Sequence, residues 1–396
     1  MKIIYDFDKN DIIIRKYFHL QATENERRTA LKKNEIIRIY GTEFKENTVR
    51  LLREAELASL IPAKDARIGI KPNLVSASEA SFGATTHPEI VAGIIEYLKE
   101  EGFCNMAIAE GSWVGEKTSR AFELCGYREL SERYGVPFID TQKDTWHKKD
   151  CAGMDLLLCD CVDRFDFLIN VPVLKGHCQT RVTCALKNMK GLLPNKEKRH
   201  FHAMGLHKPI AHLSRGIRQD FIVVDHICGD PDFEDGGNPL VRNCIMAGRD
   251  PVLIDTFVCS LMGTDPGEVP YISMAAKLGS GSMDLAGARI RTIGEEIGEE
   301  ASGERRFVFV KDAVEEVESC SACYAYLMPA LEKLRQEGLL ADLPDKICIG
   351  QGWRGKKGKI GVGSCTSGFD FCVKGCPPTD SQIYEELKGY LQSPGS

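Results

Sequence analysis

The sequence predicts an α/β protein: a doubly wound, mostly parallel sheet followed by a smaller, cysteine-rich α/β domain. Short apolar strands alternate with amphipathic helices, without the turn signals of tight hairpins between them. The segments 165–173 and 221–225 are almost entirely apolar, as is typical of strands covered on both faces. Residues 280–306 are rich in glycine, glutamate and arginine and indicate a boundary. We therefore expect an N-terminal extension at 1–34, a core domain at 35–300 and a C-terminal domain at 301–396.

The elements of the core follow from apolar spacing and from the positions of proline. Apolar residues at helical spacing predict a helix over 44–60 that Pro62 ends, and Pro88 suits the first turn of a helix over 86–101. Further helices are predicted at 183–190, 210–217 and 251–261, whereas 141–164 and the Lys/His-rich stretch 192–208 are predicted to be irregular. Apolar runs predict strands at 35–40, 67–73, 105–111, 137–140, 165–173, 221–225 and 243–247.

The C-terminal domain has its own predicted elements. A helix over 323–337 is followed by a strand at 346–349, a glycine-rich loop and a terminal helix that begins at Asp380. This alternation predicts a second, smaller α/β unit.

Composition narrows the classes of partner and compartment. A net charge of -6 and a pI near 5.9 lack the basic footprint of a dedicated nucleic-acid binder. Near the N-terminus no cationic segment joins an apolar stretch, and no apolar run reaches membrane-spanning length. We expect a cytoplasmic protein without nucleic-acid or membrane partners, whose oligomeric state stays open, a homodimer included. Sixteen cysteines in a reducing compartment indicate thiols and ligands, and such free use of cysteine suits an anaerobic source.

Four cysteines in the last quarter of the chain form a candidate metal centre. Cys320 and Cys323 make a Cys-x-x-Cys pair that can hold one centre from a single turn, and Cys365 and Cys376 can complete a four-sulfur site. Cys372 is a reserve ligand. From the spacing, an iron–sulfur cluster, structural zinc and unliganded thiols all remain open.

The segment GSCTSGFDFCVKGCPPTDSQIYEEL resembles the cluster-binding segments of hydrogenase small subunits and of the iron–sulfur subunits of respiratory complex I. In those proteins a Gly-x-Cys segment and a later Gly-Cys-Pro-Pro segment each give a ligand to a four-iron cluster. The resemblance implies a [4Fe-4S] cluster on Cys320, Cys323, Cys365 and Cys376. Cations and close backbone amides offset the negative charge of such a cluster, and this tail interleaves glycines with Arg354, Lys356, Lys357, Lys359 and Lys374.

Polar residues at the predicted strand ends form a candidate pocket, because ligands of doubly wound sheets bind beyond the carboxyl ends of the strands. Its cations and amides suit a small phosphate or carboxylate, although each lysine alone could equally be a solvated surface residue. The candidate catalytic residues are Lys175, Lys187 and His177, the last as an acid or base. The candidate substrate-binding residues are Lys71, Asn73, Asn170, Asn188, Lys190 and His207.

Other polar side chains near these strand ends are less specific indications of a functional site. Glu110, Asp225 and Asp230 are candidate carboxylates whose alternative roles are in turns and caps. A metal site on His200, His202 and His207 is conceivable, but the surrounding lysines and arginine would repel a cation. The alternative is a mobile basic loop that closes over an anionic ligand.

Several motifs of the core, taken in order, resemble the family called domain of unknown function 362 over roughly residues 35–262. They are KPNLV, THPE, the Glu-Gly after a strand, NVPVLKGH, LKNMKG and DPVLIDT. The resemblance implies an α/β fold and frequent association with iron–sulfur modules, but no settled reaction. The early strand, helix start and strand also resemble the nickel-pincer lactate racemases.

Three functions are compatible with these observations. The first is a cytosolic [4Fe-4S] oxidoreductase or electron-transfer component that acts on a small anionic substrate and exchanges electrons with a donor protein. The second is a non-redox lyase or isomerase that uses the cluster as a Lewis acid or brace, with His177 carrying protons. The third is a zinc-binding regulatory module. The sequence does not name a substrate or decide whether the chain is an enzyme.

Overall fold

The computed structural model describes residues 29–177, 179–296, 300–301 and 308–393. Most of the predicted N-terminal extension, up to residue 28, lies outside the described residues, as do residues 297–299 and 302–306 of the predicted boundary and residue 307 after it. The described chain forms one large sheet with helices on both faces and a second, smaller sheet near the C-terminus.

The strands come from runs of apolar and β-branched residues. They are β1 (Glu35–Tyr40), β2 (Ile68–Lys71), β3 (Met106–Glu110), β4 (Phe138–Asp140), β5 (Trp146–Asp150), β6 (Asp155–Cys159), β7 (Phe167–Asn170), β8 (Lys175–His177), β9 (Arg181–Thr183), β10 (Phe221–His226), β11 (Leu240–Val241), β12 (Cys244–Gly248), β13 (Arg289–Ile293), β14 (Glu300–Ala301), β15 (Val314–Glu316), β16 (Ile347–Ile349), β17 (Ile360–Val362) and β18 (Phe371–Val373).

Three of the helices begin with proline, which suits a first turn because the missing N–H would have no partner there. None of the described helices has the length and apolar character needed to cross a bilayer. The helices are α1 (Phe44–Glu54), α2 (Pro88–Glu100), α3 (Thr118–Leu124), α4 (Tyr127–Tyr134), α5 (Cys161–Arg164), α6 (Ala185–Asn188), α7 (Asn195–Met204), α8 (His207–Gly216), α9 (Pro251–Leu261), α10 (Pro270–Lys277), α11 (Ser321–Gln336) and α12 (Asp380–Leu391).

The large sheet has the strand order β13-β1-β12-β10-β7-β2-β3-β4. Its neighbouring strands pair in parallel except where β12 meets β1 and β10. The prediction of an α/β protein with a mostly parallel sheet is therefore confirmed. After β4 the chain returns to the other side of β2, so the strand order reverses between β2 and β7. Such a switch point leaves a crevice at the carboxyl ends of the two strands.

Both faces of this sheet are covered by apolar packing. On β10, Phe221 and Val223 belong to one buried cluster, whereas Ile222 and Val224 belong to another. Because successive residues of a strand point to opposite faces, the two clusters lie on the two sides of the sheet. The first cluster includes side chains of α1–α4, and the second includes side chains of α6–α10. This double covering explains why β10 is apolar from Phe221 to Val224.

The expectation that the core lacks hairpins is wrong. Residues 141–164, predicted to be irregular, contain the antiparallel pair β5–β6, and β8 pairs with β9 in the same way. The turn between β5 and β6 has Gly153 at a φ of +88°, and Asp150 Oδ1 accepts a hydrogen bond from its N–H at 2.7 Å. Strand β5 has the sequence WHKKD, which contains few apolar residues. The alternation of apolar and polar residues that predicts a strand is therefore missing.

The stretch 192–208 is not a loop, as predicted, but is mostly helical, in α7 and the start of α8. Helix α7 buries Phe201 completely, but it also buries the charged side chains of Glu197 and Lys198. Apolar periodicity identifies a helix only when its buried face is apolar. A buried face that carries charges hides the helix from this kind of prediction.

The C-terminal segment forms a separate four-stranded sheet, β15-β16-β17-β18, with all pairs parallel. Helices α11 and α12 cover it through a buried cluster that includes Leu327, Leu331, Leu334, Ile383 and Leu387. The predicted helices and strand of this region are all present within one or two residues of their expected bounds. Strand β13, by contrast, lies inside the predicted boundary 280–306 and completes the large sheet beside β1.

Replacing Phe201 with alanine should test the docking of α7. Because the ring is fully buried against the second cluster, we expect Phe201→Ala to lower the free energy of unfolding by about 3–5 kcal/mol. The exposed Lys208, at the start of α8, provides the control, and Lys208→Ala should change stability by less than about 0.5 kcal/mol. Urea denaturation measures both, and equal effects would show that α7 does not pack as described.

Candidate functional site

A cavity of about 370 Å³ lies at the carboxyl ends of β2 and β3, where the core meets the C-terminal segment. The core side of its wall comprises the loops after these strands, α6 and the turn after it, and α7. The other side comprises the start of α11 and the turns after β16 and β18. Its volume suits a small molecule.

Lys71 and Glu110 form an ion pair at the base of this cavity, where β2 and β3 end. Both side chains are almost fully buried. Lys71 Nζ also donates to the carbonyl of Pro72 at 2.8 Å and to Asn188 Oδ1 at 3.2 Å. Burial lowers the pKa of Lys71 and raises that of Glu110, and the charge of each residue opposes the shift of the other. A Cβ on Gly191 would lie 2.4 Å from Glu110 Oε2, so only glycine lets this turn close over the pair.

Glu234 forms a second charged group on the cavity wall. Its carboxylate pairs with Lys187 and lies 2.9 Å from His177 Nε2. The N–H groups of Gln179 and Thr180 donate to His177 Nδ1 at 3.0 Å, so the proton of the neutral ring is on Nε2 and points at Glu234. Burial lowers the pKa of His177 to about 4. The geometry makes His177 a positioning residue for Glu234, while its predicted proton transfer remains a prediction.

Other polar groups of the cavity have no partner among the described residues. Lys190 and Asp235 make no salt bridge there, and buried His202 Nδ1 makes no hydrogen bond. Burial, with the charge of Lys187, lowers the pKa of Lys190 to about 7. Burial and the neighbouring Glu234 raise the pKa of Asp235 to about 7. These groups are available to a ligand, whereas Lys198 donates to the carbonyls of Gly111 and Ser112.

The predicted site residues divide into two groups. Asn73, Lys187, Asn188 and Lys190 line the cavity, and Lys71 supports it through Glu110. The other four of the predicted core residues lie behind or beside it, and one of them, His177, contacts Glu234 as described above. Lys175 Nζ donates to the carbonyls of Ala84 and Glu234 at 2.5 and 2.7 Å, Asn170 bonds to Asn188 at 2.7 Å, and the His207 ring stacks on Tyr271.

Cys320, Cys323, Cys365 and Cys376 come together at the other end of the cavity. Cys320 precedes α11 and Cys323 lies in its first turn, whereas Cys365 follows β17 and Cys376 follows β18. Three of the four line the cavity directly, and the charge of Cys365 acts on both Cys320 and Cys323. Burial raises the pKa of Cys323 to about 12, and the other three thiols add to this shift.

Cys372, the reserve ligand, has different neighbours. Its Sγ lies 3.4 Å from Thr366 Oγ1 and 3.5 Å from the carbonyl of Gly363, which accepts a hydrogen bond from it. The structure therefore groups Cys376 with Cys320 and Cys323, and not Cys372. In the described residues, no three His, Cys, Asp or Glu side chains are placed as a group that could hold a metal ion.

Two side chains of the turn after β16 contact these cysteines. Gln351 Nε2 donates to Cys320 Sγ at 3.5 Å and to the carbonyl of His202 at 2.9 Å, and so joins the thiols to α7. Arg354 has its pKa raised by a hydrogen bond to Cys365 and by the charges of Cys320 and Cys376. A cation and amide donors beside sulfur stabilise thiolate ligands.

Sequence reasoning missed Glu234 and Asp235, which lie in the stretch DPDFEDGGN after β10. Asp230 shapes this loop, because its carboxylate accepts the N–H groups of Asp232, Phe233 and Asn238 at 2.7–2.8 Å. A run of acidic residues and glycines directly after a buried strand was the signal for a functional loop at the carboxyl edge.

Similarity to known proteins covers the core side of the cavity. Residues 68–260 match the family model described as domain of unknown function (DUF362). The predicted resemblance to DUF362 is confirmed over these residues, which include Lys71, Glu110, Lys187 and Glu234. The thylakoid-associated protein of Synechocystis sp. is 25% identical over 223 residues, which are 54% of this chain and 68% of that protein. The four grouped cysteines lie outside the DUF362 match, so their resemblance to hydrogenase segments remains a prediction.

Solved structures match more distantly. The lactate racemase apoprotein from Thermoanaerobacterium thermosaccharolyticum has a TM-score of 0.39 and 14% identity, over 57% of this chain and 56% of that one. A protein from Thermotoga maritima has a TM-score of 0.34 and 12% identity, over 61% and 60% of the two chains. This chain thus spans less than two thirds of either structure.

Breaking the buried pair at the base of the cavity should be costly. Lys71→Met leaves Glu110 buried without its partner and should lower the free energy of unfolding by about 3–5 kcal/mol, measured by urea denaturation. The double variant Lys71→Met/Glu110→Gln removes both charges and should recover most of this loss. As a control, Arg53→Met breaks an exposed pair with Glu100 and should cost less than about 1 kcal/mol. A loss in the double variant as large as in Lys71→Met would contradict this account.

Proposed function

We propose that this chain is a cytoplasmic iron–sulfur protein, in which a [4Fe-4S] cluster at one end of the cavity serves redox chemistry on a small anionic substrate at the other. The observation that carries the proposal is that one cavity is lined by Cys320, Cys323 and Cys376 and by the ammonium groups of Lys187 and Lys190. The proposed site for thiolate ligands and the proposed site for an anion would therefore share one cavity. An electron-donor protein is the partner that such a reaction requires.

The residue types at the sulfur end suit a cluster, because four cysteine thiols and a cation lie near one another there. Cys320, Cys323, Cys365 and Cys376 would hold it, since three of them line one end of the cavity and Cys365 is close enough that its thiolate form would raise the pKa of Cys320 and Cys323. The thiols must be deprotonated to bind iron, and burial and mutual repulsion keep Cys323 protonated without a metal. Arg354 and Gln351 would offset the negative charge of the liganded sulfurs. A cluster bound there would supply single electrons to the substrate side.

The substrate end is built to hold an anion. Lys190, half-buried, has no salt bridge among the described residues, and the exposed Arg199 on α7 has none either. Lys187 is fixed by Glu234, which is itself oriented by His177, so its position is set before a ligand arrives. A small carboxylate or phosphate would neutralise the charges of these cationic side chains. Its oxygens would accept hydrogen bonds from their N–H groups that have no acceptor among the described residues.

A non-redox lyase or isomerase is the second candidate, and one observation favours it. Lys190 and Asp235 both line the cavity and both have pKa values of about 7, as acids and bases that work at neutral pH require. In that case the cluster serves as a Lewis acid or brace, and the acid–base residues of the cavity perform the reaction.

Anaerobic reconstitution with iron and sulfide tests the metal centre. We expect about four iron and four sulfide per chain, with visible absorbance that dithionite bleaches. Serine at position 320, 323, 365 or 376 should remove most of this absorbance, because each substitution takes away one thiolate. Cys372→Ser is the matched control and should retain it, because its sulfur contacts Thr366 and Gly363. One tightly bound zinc per chain, or loss of the cluster in Cys372→Ser alone, would contradict the assignment.

Anion binding tests the other end of the cavity. Inorganic phosphate, acetate and oxalate, added singly to the reconstituted protein, should raise the melting temperature in at least one case. Lys190→Met removes a charge-assisted hydrogen bond and should weaken binding of that anion roughly ten- to hundredfold. Lys208→Met, which removes an exposed lysine away from the cavity, should bind like the wild type. If both lysine variants lose affinity equally, the effect is one of net charge and the proposed site is wrong.

A further inference from the structure

A cysteine, a histidine and an aspartate meet at the carboxyl end of β10, apart from the residues that line the cavity. His87, which precedes α2, has its Nδ1 2.8 Å from Asp225 Oδ2 and its Nε2 3.7 Å from Cys228 Sγ. Residues 87, 225 and 228 come from two separate parts of the chain. A thiol, an imidazole and an orienting carboxylate in this order make up the usual arrangement for activating a nucleophile.

The histidine ring is held in this position from several sides. Asp225, fully buried, accepts both the His87 ring and the His87 backbone N–H at 2.8 Å on Oδ2, and the Ile227 N–H at 3.1 Å on Oδ1. The ring of Phe44 packs against the imidazole at a centroid distance of 5.7 Å. Burial disfavours the charged ring, but the Asp225 carboxylate outweighs this and raises the pKa of His87 to about 11. The site can therefore hold a positive charge on the ring.

We propose that Cys228 reacts as a thiolate and captures small, uncharged electrophiles covalently, with the His87 imidazolium as its ion-pair partner and Asp225 as the positioning residue. In the reactive state the thiol proton, which Sγ otherwise donates to the carbonyl of Ala80 at 3.4 Å, is on His87 Nε2, and Sγ forms a bond to the electrophilic carbon. The leaving group departs with the electrons of the broken bond, and Asp225 balances the imidazolium.

Access to the thiol limits the size and charge of its partner. Cys228 is 5% exposed and the side chain of His87 is 12% exposed, so this burial excludes large reagents from the thiol. The carboxylates of Asp225 and of Asp230, two residues beyond Cys228, disfavour anions. The substrate class thus differs from the anion proposed for the cavity, and this inference does not depend on that proposal.

Peptide-resolved mass spectrometry of alkylation by iodoacetamide tests the inference on the full chain at neutral pH. In this reaction the S–C bond forms, the C–I bond breaks and iodide leaves. Cys125 is the internal reference, because it is 4% exposed and its Sγ is hydrogen-bonded to the backbone carbonyls of Ser76 and Ser78 and to the Thr85 side chain, not to an imidazole. Cys228 should react at least about tenfold faster than Cys125, and in His87→Gln this ratio should fall to about one.

The reference thiol separates lost activation from a loosened fold. In His87→Gln the rate at Cys125 should stay at its wild-type value, whereas a loosened fold would raise it. If the alkylation rate at Cys125 rises in His87→Gln, the same measurement is made on Asp225→Asn, which keeps the shape of the side chain. This variant should also lower the ratio of the Cys228 rate to the Cys125 rate. A wild-type ratio near one, or a ratio that survives in the variant whose Cys125 rate is unchanged, would overturn the proposal.

Discussion

The ion pair between Lys71 and Glu110 is the interaction on which the candidate site depends. Two adjacent parallel strands end in opposite charges, and the sheet places both away from water. Buried charges are tolerated only when each has partners. Besides Glu110, the ammonium group of Lys71 has two hydrogen-bond acceptors, the Pro72 carbonyl and Asn188 Oδ1. Since Asn188 belongs to α6, the same pair fixes the helix next to Lys187 and Lys190. The base of the cavity and the cations of its wall are thus one connected structure.

The loop after β10 connects this base to the C-terminal segment. Asp230 organises the loop through backbone N–H groups, Glu234 points into the cavity, and Phe233 packs into the C-terminal apolar cluster. The ring of Phe233 lies 5.6 Å from that of Tyr324, one residue after Cys323. The start of α11 is thereby held beside the residues that position Lys187. This physical link places the thiols and the ammonium groups on one cavity.

The same chain positions its polar side chains by two different means. The sequence predicts Lys175 and Asn170 as pocket residues because they lie near strand ends. In the structure, however, both side chains form hydrogen bonds inside the protein. Glu234 and His202, which the sequence did not assign to the pocket, line the cavity because a loop and a helix bring them there. A strand end predicts which edge of the sheet a residue occupies, but its rotamer and its neighbours decide whether it faces a ligand. Helix α7 shows the same limit, since its buried charges hide the periodicity on which prediction relies.

By itself, the sequence determined the α/β class, the mostly parallel sheet, most strands and helices, and the edge of the sheet where the polar residues gather. These features follow from local apolar spacing, which acts over a few residues and survives in any context. Only the tertiary structure decided that Cys376 and not Cys372 joins the other three thiols, that His177 orients Glu234, and that His87, Asp225 and Cys228 meet. Each of these depends on contacts between residues far apart in the chain, whose energies come from burial and charge after folding.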